Sequence, residues 1–422
     1  MSLYDKASIA LIPSGVKSTK LYSVLPANGN GDFTHSRGST ATRVNKDGLI
    51  ESVASGVPRL DYPLTSGVVG DCPHLLLEPS RTNDVEYTEQ FDNGYWTKSQ
   101  ASVTANDTVS PDGSQTADKL VEDSSTNFHR VFRSITTTAA TYTFSVFAKA
   151  DEREFLVLRN ELSGSNINAC FNLTSGSISY NGFSGTAKIE NFGNGWFRCS
   201  VTETDPSGGS TPFSILLSDS AVTNNTIPSY AGNGSSGLHI WGAQLEQGSF
   251  PTSYIPWDGS GTTTRSVDAC KDSGSASLIN SEEGVLFAEI AHLNNGDDHR
   301  RITLSDGSTS NVVRISYDST TNEITALLFN VSNQCLFQTT SHDITNLNKV
   351  ALQYKANEFK CFVNGSQLGS TDTIGTTFSA GTLTELAFDN GGGGNLFVGK
   401  CKQLIVFNET LTDAELTTLT TQ

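Results

Sequence analysis

Apolar residues along this chain come in short runs in which alternate positions are apolar, and almost none recur at the three-to-four spacing of a helix. Between residues 142 and 148, Tyr142, Phe144, Val146 and Ala148 share one face of an extended segment. The continuous apolar run at 155–158 suits a strand covered on both sides. Asn194-Gly195 predicts a tight hairpin turn, because both central positions of a type I′ turn need positive φ. Beyond it Phe197, Cys199 and Val201 alternate with Trp196, Arg198 and Ser200. With strands at 213–217 and 238–245, residues 86–258 hold roughly seven to nine short strands, the pattern of a two-sheet jelly roll.

Residues 262–422 repeat the pattern, with strands expected at 285–290, 301–304, 312–317, 324–329, 350–354, 359–363, 383–388 and 396–407. Val350, Leu352 and Tyr354 alternate with Ala351, Gln353 and Lys355, and Asn364-Gly365 turns the chain after Phe359, Cys361 and Val363. One short terminal helix is expected: Thr412 can cap it, and Glu415 three residues on completes a capping box ahead of Leu416 and Leu419. Asp258-Gly-Ser-Gly-Thr-Thr-Thr carries no large apolar residue and reads as the linker between the two sandwiches. Residues 1–85 contain few convincing strands (7–12, 40–45, 49–53, 75–77) separated by Asn28-Gly29-Asn30-Gly31 and Asp47-Gly48 turns. So irregular a segment has little core of its own and is expected to dock against a neighbour.

Composition narrows the function. At 422 residues the chain is too long for one core, and 17% charged with 9% aromatic residues excludes wholesale disorder. A formal net charge of −17 repels phosphate backbones and anionic membranes, so nucleic acid is not an expected partner. No run of eighteen apolar residues exists to span a bilayer, and the N-terminal stretch shows no secretory leader. Seven widely spaced cysteines with no C-x-x-C pair read as reduced and mostly buried.

Catalytic patterns are missing. Retaining hydrolysis on a sandwich needs two carboxylates about 5 Å apart, and the nearest sequence, Glu289-Ile-Ala-His-Leu, offers no second acid at strand spacing. There is no G-x-S-x-G elbow, no zinc-ligand spacing, and the Gly391–Gly394 run lacks the Lys-Ser/Thr and helix of a phosphate loop. The chain is therefore expected not to be an enzyme, with no catalytic residues.

One stretch is more specific than the rest. Asp32-Phe33-Thr34, Arg37, Ser39-Thr40-Ala41-Thr42-Arg43-Val44-Asn45, Asp47-Gly48-Leu49-Ile50-Glu51, Val57-Pro58-Arg59-Leu60-Asp61-Tyr62 and Leu76-Leu77-Glu78-Pro79-Ser80-Arg81-Thr82-Asn83 together resemble a segment recurring in tailed-bacteriophage structural proteins. Gly38, where alanine is frequent, and Ser36 are small departures. Residues 91–96 and the Ile240-Trp-Gly-Ala-Gln-Leu-Glu-Gln-Gly and Thr252-Ser-Tyr-Ile-Pro runs resemble the carbohydrate-binding-module-like jelly roll that follows it. Residues 359–365, 397–407 and 411–416 resemble concanavalin A-like (laminin-G-like) lectin domains.

The resemblance implies a virion surface protein, a tail or head fibre made in the host cytoplasm. It would dock onto other virion proteins by residues 1–85, present lectin-like domains to host surface glycan, and assemble as a homo-oligomer, a trimer in the first instance. The alternatives are a capsid or tail decoration (cement) protein, or a polysaccharide-degrading virion enzyme. Sugar recognition needs an aromatic plane with fixed polar groups, which makes Trp96, Trp196 and Trp241 the candidate platforms, although each reads first as a core or interface residue, Trp96 and Trp241 helping to close the two ends of the jelly roll. No cofactor is implied. Calcium in a laminin-G-like domain would sit among loop acids such as Asp297, Asp298, Asp306 and Asp318, which also read as solvated turn residues.

Overall fold

The computed structural model describes residues 3–17, 19–160, 162, 167–295 and 299–421. The protein is all-β: two sandwiches built from antiparallel strands, with one α-helix among the described residues.

In the middle sandwich one six-stranded sheet runs Thr97–Ser99, Arg130–Thr137, Gly209–Ser218, Phe155–Asn160, Ile167–Asn172, Ser177–Asn181. The facing sheet runs Ala101–Thr108, Ala117–Glu122, Gly237–Gln247, Ala140–Ala150, Trp196–Asp205, Ala187–Gly193. Phe144, Val146, Leu156, Leu158, Phe171 and Phe213 meet between them, the period-two faces anticipated from the sequence. Twelve strands, six in each sheet, exceed the seven to nine expected. The surplus are edge strands such as Ala101–Thr108 and Ser177–Asn181, mostly exposed and with little apolar alternation to announce them. Asn194 (φ 53°) and Gly195 (φ 80°) form the anticipated turn.

The last sandwich sets a five-stranded sheet (Ser332–Thr339, Ile324–Asn330, Asn311–Tyr317, Arg300–Ser305, Glu385–Ala387) against a larger one containing Lys360–Val363, Asn348–Lys355, Glu283–Ala291 and Gly399–Phe407. The helix Asp413–Thr420 carries the full Thr412/Glu415 capping box. Leu416 and Leu419 press it onto Val285, Phe287 and Ile405 on the outer face of the larger sheet.

The N-terminal 85 residues find within the chain the neighbour that so irregular a segment was expected to need, the last sandwich. His74–Leu77 pairs with the first half of Gly399–Phe407 and Ala7–Leu11 with the second half, while Arg59–Asp61 extends the sheet beyond His74–Leu77. Ile9, Leu11, Leu60, Leu75 and Leu77 are buried in the same core as Leu286, Leu352 and Leu404. Strands of three to five residues cannot hold themselves in water, and here they complete a sheet from the other end of the chain. The 258–264 linker is likewise tied: Thr263–Arg265 pairs with Arg81–Asn83, and Trp257 Nε1 donates to Gly261 O at 3.0 Å. Both ends of the middle sandwich are thus held against the last one.

Candidate functional site

Charged residues of the N-terminal segment converge with Ser253, Arg265 and Asp268 where the N-terminal strands, the exit of the middle sandwich and the stretch after the linker meet. Asp268, just past the linker, accepts from Arg37 Nη1 at 3.0 Å, from the Glu78 amide at 2.9 Å and from Arg59 Nη2, and lies 3.1 Å from His35 Nε2. Glu78 accepts from Arg59 Nη1 at 2.6 Å, from the Ser253 amide at 2.8 Å and from Ser253 Oγ at 2.6 Å, with Arg265 Nη1 at 2.9 Å. All these charged groups are buried. Burial pushes the Glu78 carboxyl up, but Arg265 and Arg59 outweigh it and hold the group at about 2. Asp268 is also held well below the usual carboxylate range against its burial, chiefly by Arg59. Both carboxylates are fully engaged, although Arg59 Nε and Arg265 Nε are buried without a partner, and the cluster locks three chain segments in one geometry.

Beside it runs a groove of two adjoining hollows, of about 650 and 310 Å³, that share Val44, Asp61, Glu190, Phe192 and Lys400. One wall is the N-terminal segment, with Tyr62 at its rim; the other is the edge strand Ala187–Gly193 of the middle sandwich. The floor includes Arg198, Thr252 and Ser253. Two hairpins close its end: Gly67 (φ +80°) packs against the Asn191 side chain and Gly193 (φ +78°) against the Gly67 carbonyl, so a Cβ at either would collide. Phe192 stands edge-on to Phe147 with ring centres 4.9 Å apart, half-buried, its remaining surface in the groove.

The groove combines aromatic surface with hydrogen-bonding groups. Its acids are unequal. Asp61 accepts from the Val44 amide at 2.8 Å and lies 3.0 Å from His74 Nε2, and Glu78 belongs to the arginine cluster. Glu190 is exposed and lines both hollows.

The three candidate tryptophans are not platforms. Trp96, Trp196 and Trp241 are at most 2% exposed, which leaves no ring face for a sugar. Each indole N–H is used internally, donating to Tyr87 O, Val109 O and Thr116 Oγ1 at 3.0, 3.0 and 3.1 Å. Trp196 and Trp241 join Phe147 and Tyr254 in the apolar layer against which Phe192 packs, so they support the groove from below.

The proposed calcium set is not assembled either. Asp306 caps its own turn, accepting from Ser308 and Asn311, while Asp318 lies 2.6 Å from His299 Nδ1. The two stand at opposite ends of Asn311–Tyr317, about 20 Å apart by strand rise. Asp297 and Asp298 lie outside the described residues. Among the described residues no three His, Cys, Asp or Glu side chains gather into a metal-binding group.

Sequence reasoning missed Tyr62, Asn191, Phe192 and Lys400. The one signal available was the Asn191-Phe192-Gly193 run entering the Asn194-Gly195 turn, which marks an exposed aromatic on a hairpin edge.

No family model and no curated protein matches the chain. Among solved structures, the carbohydrate-binding module (CBM40) of the Ruminococcus gnavus IT-sialidase, bound to α2,3-sialyllactose, overlaps 35% of this chain and 92% of its own length at 16% identity, with a TM-score of 0.30. The Trypanosoma rangeli sialidase overlaps 92% of this chain and 77% of its own at 11% identity and a TM-score of 0.30. The NanB sialidase of Streptococcus pneumoniae overlaps 34% and 25% at 16% identity and a TM-score of 0.29.

Proposed function

We propose that the protein is a non-enzymatic glycan-binding component of a tailed-phage surface appendage, and that the groove between the N-terminal segment and the Ala187–Gly193 edge holds the glycan. The observation that carries the glycan reading is the groove itself. Tyr62 and Phe192 supply apolar faces for a pyranose ring, and Asn191, Glu190 and Lys400 supply acceptors and donors for its hydroxyls. A non-catalytic role is favoured because two-carboxylate hydrolysis needs two available acids, and of the groove's acids Asp61 and Glu78 are already engaged.

The appendage reading rests on the N-terminal resemblance. Its residues build the clamp that fixes the two sandwiches, so attachment to other virion proteins falls to the segment's outer surface, where Tyr4, Tyr22 and Val24 are exposed. Weak individual sites gain from avidity in a homotrimer. Labelled full-length protein is expected to bind host cells saturably and in competition with host surface polysaccharide, and Phe192→Ala is expected to lose that binding. Binding by the variant equal to the parent's removes the groove from the proposal. Antibody labelling of intact particles checks the location, a sedimentation mass of one chain at micromolar concentration removes the trimer, and reducing ends released from capsule restore the enzyme.

A further inference from the structure

The last sandwich has a separate hollow of about 620 Å³ on the outer face of its larger sheet, beside the end of the terminal helix. Glu289 lies in it by strand register. Phe287, two residues earlier, faces outward under the helix, and Glu289 faces the same way, opposite Lys349 on one neighbouring strand and Gln403 on the other. The pairing skips at this point, with Glu289 opposite Gln403 and Ile290 opposite Cys401, so Lys402 is the extra residue of a β-bulge. The bulge turns the Lys402 ammonium to the same face, 3.7 Å from the Glu289 carboxylate.

The Glu289 side chain is only 8% exposed, yet among the described residues no donor lies within hydrogen-bond distance of it. The wall around it is rigid. Asn364, at the turn into Gly365, accepts from the Lys349 amide at 2.9 Å and donates to Asn348 Oδ1 at 2.8 Å, and Asn348 Nδ2 donates to the carbonyls of Asp343 and Asn346. Asp343 is engaged by its own turn, accepting from Thr345 and Asn346. A built wall thus surrounds one acceptor-only group and one donor-only group that remain free for a ligand.

We infer that this hollow is a second binding site, for a neutral saccharide, in which the Glu289 carboxylate accepts from two adjacent hydroxyls and Lys402 donates to a ring or hydroxyl oxygen. Neutrality follows from the charges: Glu289 and Asp343 balance Lys349 and Lys402, so a charged ligand meets no excess of opposite sign. Two vicinal hydroxyls match the two carboxylate oxygens, as two N–H groups of a guanidinium do. No Phe, Tyr or Trp ring lines the hollow, whose one imidazole, His342, stands 3.3 Å from Asn364 Nδ2, so affinity per site is low and selectivity rests on hydroxyl geometry.

The test is titration of isotope-labelled full-length protein with the methyl pyranosides of glucose, galactose and mannose, followed by amide NMR. At least one is expected to shift the Lys349 and Asn364 amides saturably. Glu289→Gln and, separately, Lys402→Met should each weaken that titration about tenfold, the size of one lost charge-assisted hydrogen bond, while Phe192→Ala, a residue of the groove that does not line the hollow, leaves it unchanged. No saturable shift from any of the three at decimolar concentration overturns the inference, as do parental titrations of both variants. Because the groove is read by Phe192→Ala and the hollow by Glu289→Gln, failure of one leaves the other standing.

Discussion

Glu78 and Glu289 are the same residue, both buried in or beside the larger sheet of the last sandwich, Glu289 within an interior strand and Glu78 just past the end of His74–Leu77, and they have opposite surroundings. Glu78 accepts from an arginine, a serine hydroxyl and a backbone amide, with a second arginine in contact. Glu289 has one lysine at 3.7 Å and no hydrogen-bond donor among the described residues. Burying a carboxylate is costly unless donors replace its water. The first cost is met within the fold, so Glu78 is structural; the second is left for something that enters the hollow. The same contrast separates the engaged carboxylates of the arginine cluster from the groove beside it, and it distinguishes clamp from binding surface where burial alone does not.

The largest expected effect breaks the clamp. Glu78→Gln turns an amide N–H toward Arg59 or Arg265 and leaves the buried Arg265 guanidinium without its counter-charge, while Arg59 keeps Asp268, at a cost of about 3–5 kcal/mol. A urea midpoint unchanged from the parent shows the cluster to be dispensable. Because the cluster holds the segments that wall the groove, the variant should also lose host-cell binding when folded at low temperature. Smaller, and confined to function, is Phe192→Ala: a half-buried aromatic on the groove wall should weaken glycan binding by about 1–2 kcal/mol with little change in midpoint, measured by calorimetry with the competing polysaccharide.

A pH series sharpens the contrast further. Burial, and then the neighbouring Glu246, push the Asp84 carboxyl up to about 6, and Asp118 is also near 6, chiefly through burial. For both, the folded state holds protons that the unfolded state releases, so their cost to stability is absent below about pH 4 and grows as pH rises through 6. Glu78 has the opposite sign: its contribution is complete above its unfolded value near 4.5 and is lost as pH falls toward about 2. Thermal stability should therefore rise on acidification from pH 7 to 5 and fall below 4. Asp84→Asn should flatten the upper limb by on the order of 1 kcal/mol after allowance for solvent screening.

The repeating parts of this architecture were legible from sequence, because period-two faces, Asn-Gly turns and a capping box are local signals. Tyr142 to Ala148, Asn194-Gly195 and Thr412 to Glu415 lie as those signals require. What pairs with what was not legible. Nothing in Ala7–Leu11 or His74–Leu77 points to Gly399–Phe407, more than three hundred residues away, since strand partners are chosen by tertiary fit and not by local pattern. For the tryptophans, residue type left a sugar platform open beside the core reading, and only exposure decides between them: Trp96, Trp196 and Trp241 lie in apolar layers, as the core reading has it. Glu289 was passed over because it has no partner acid in sequence; its significance is the absence of donors around it, visible only in space.

The smallest expected effect is the most discriminating. Glu289→Gln removes a buried charge that no donor supports and keeps the side chain's shape, so stability should change by no more than about 0.5 kcal/mol, and upward. Paired urea titrations of Glu78→Gln and Glu289→Gln in one buffer make the comparison direct. If the two lose comparable stability, Glu289 is a structural carboxylate held by its lysine and the hollow is an ordinary surface depression. If Glu78→Gln falls by several kcal/mol while Glu289→Gln holds its midpoint, the free carboxylate is not maintained for folding, and its place in a built hollow is explained by what it binds.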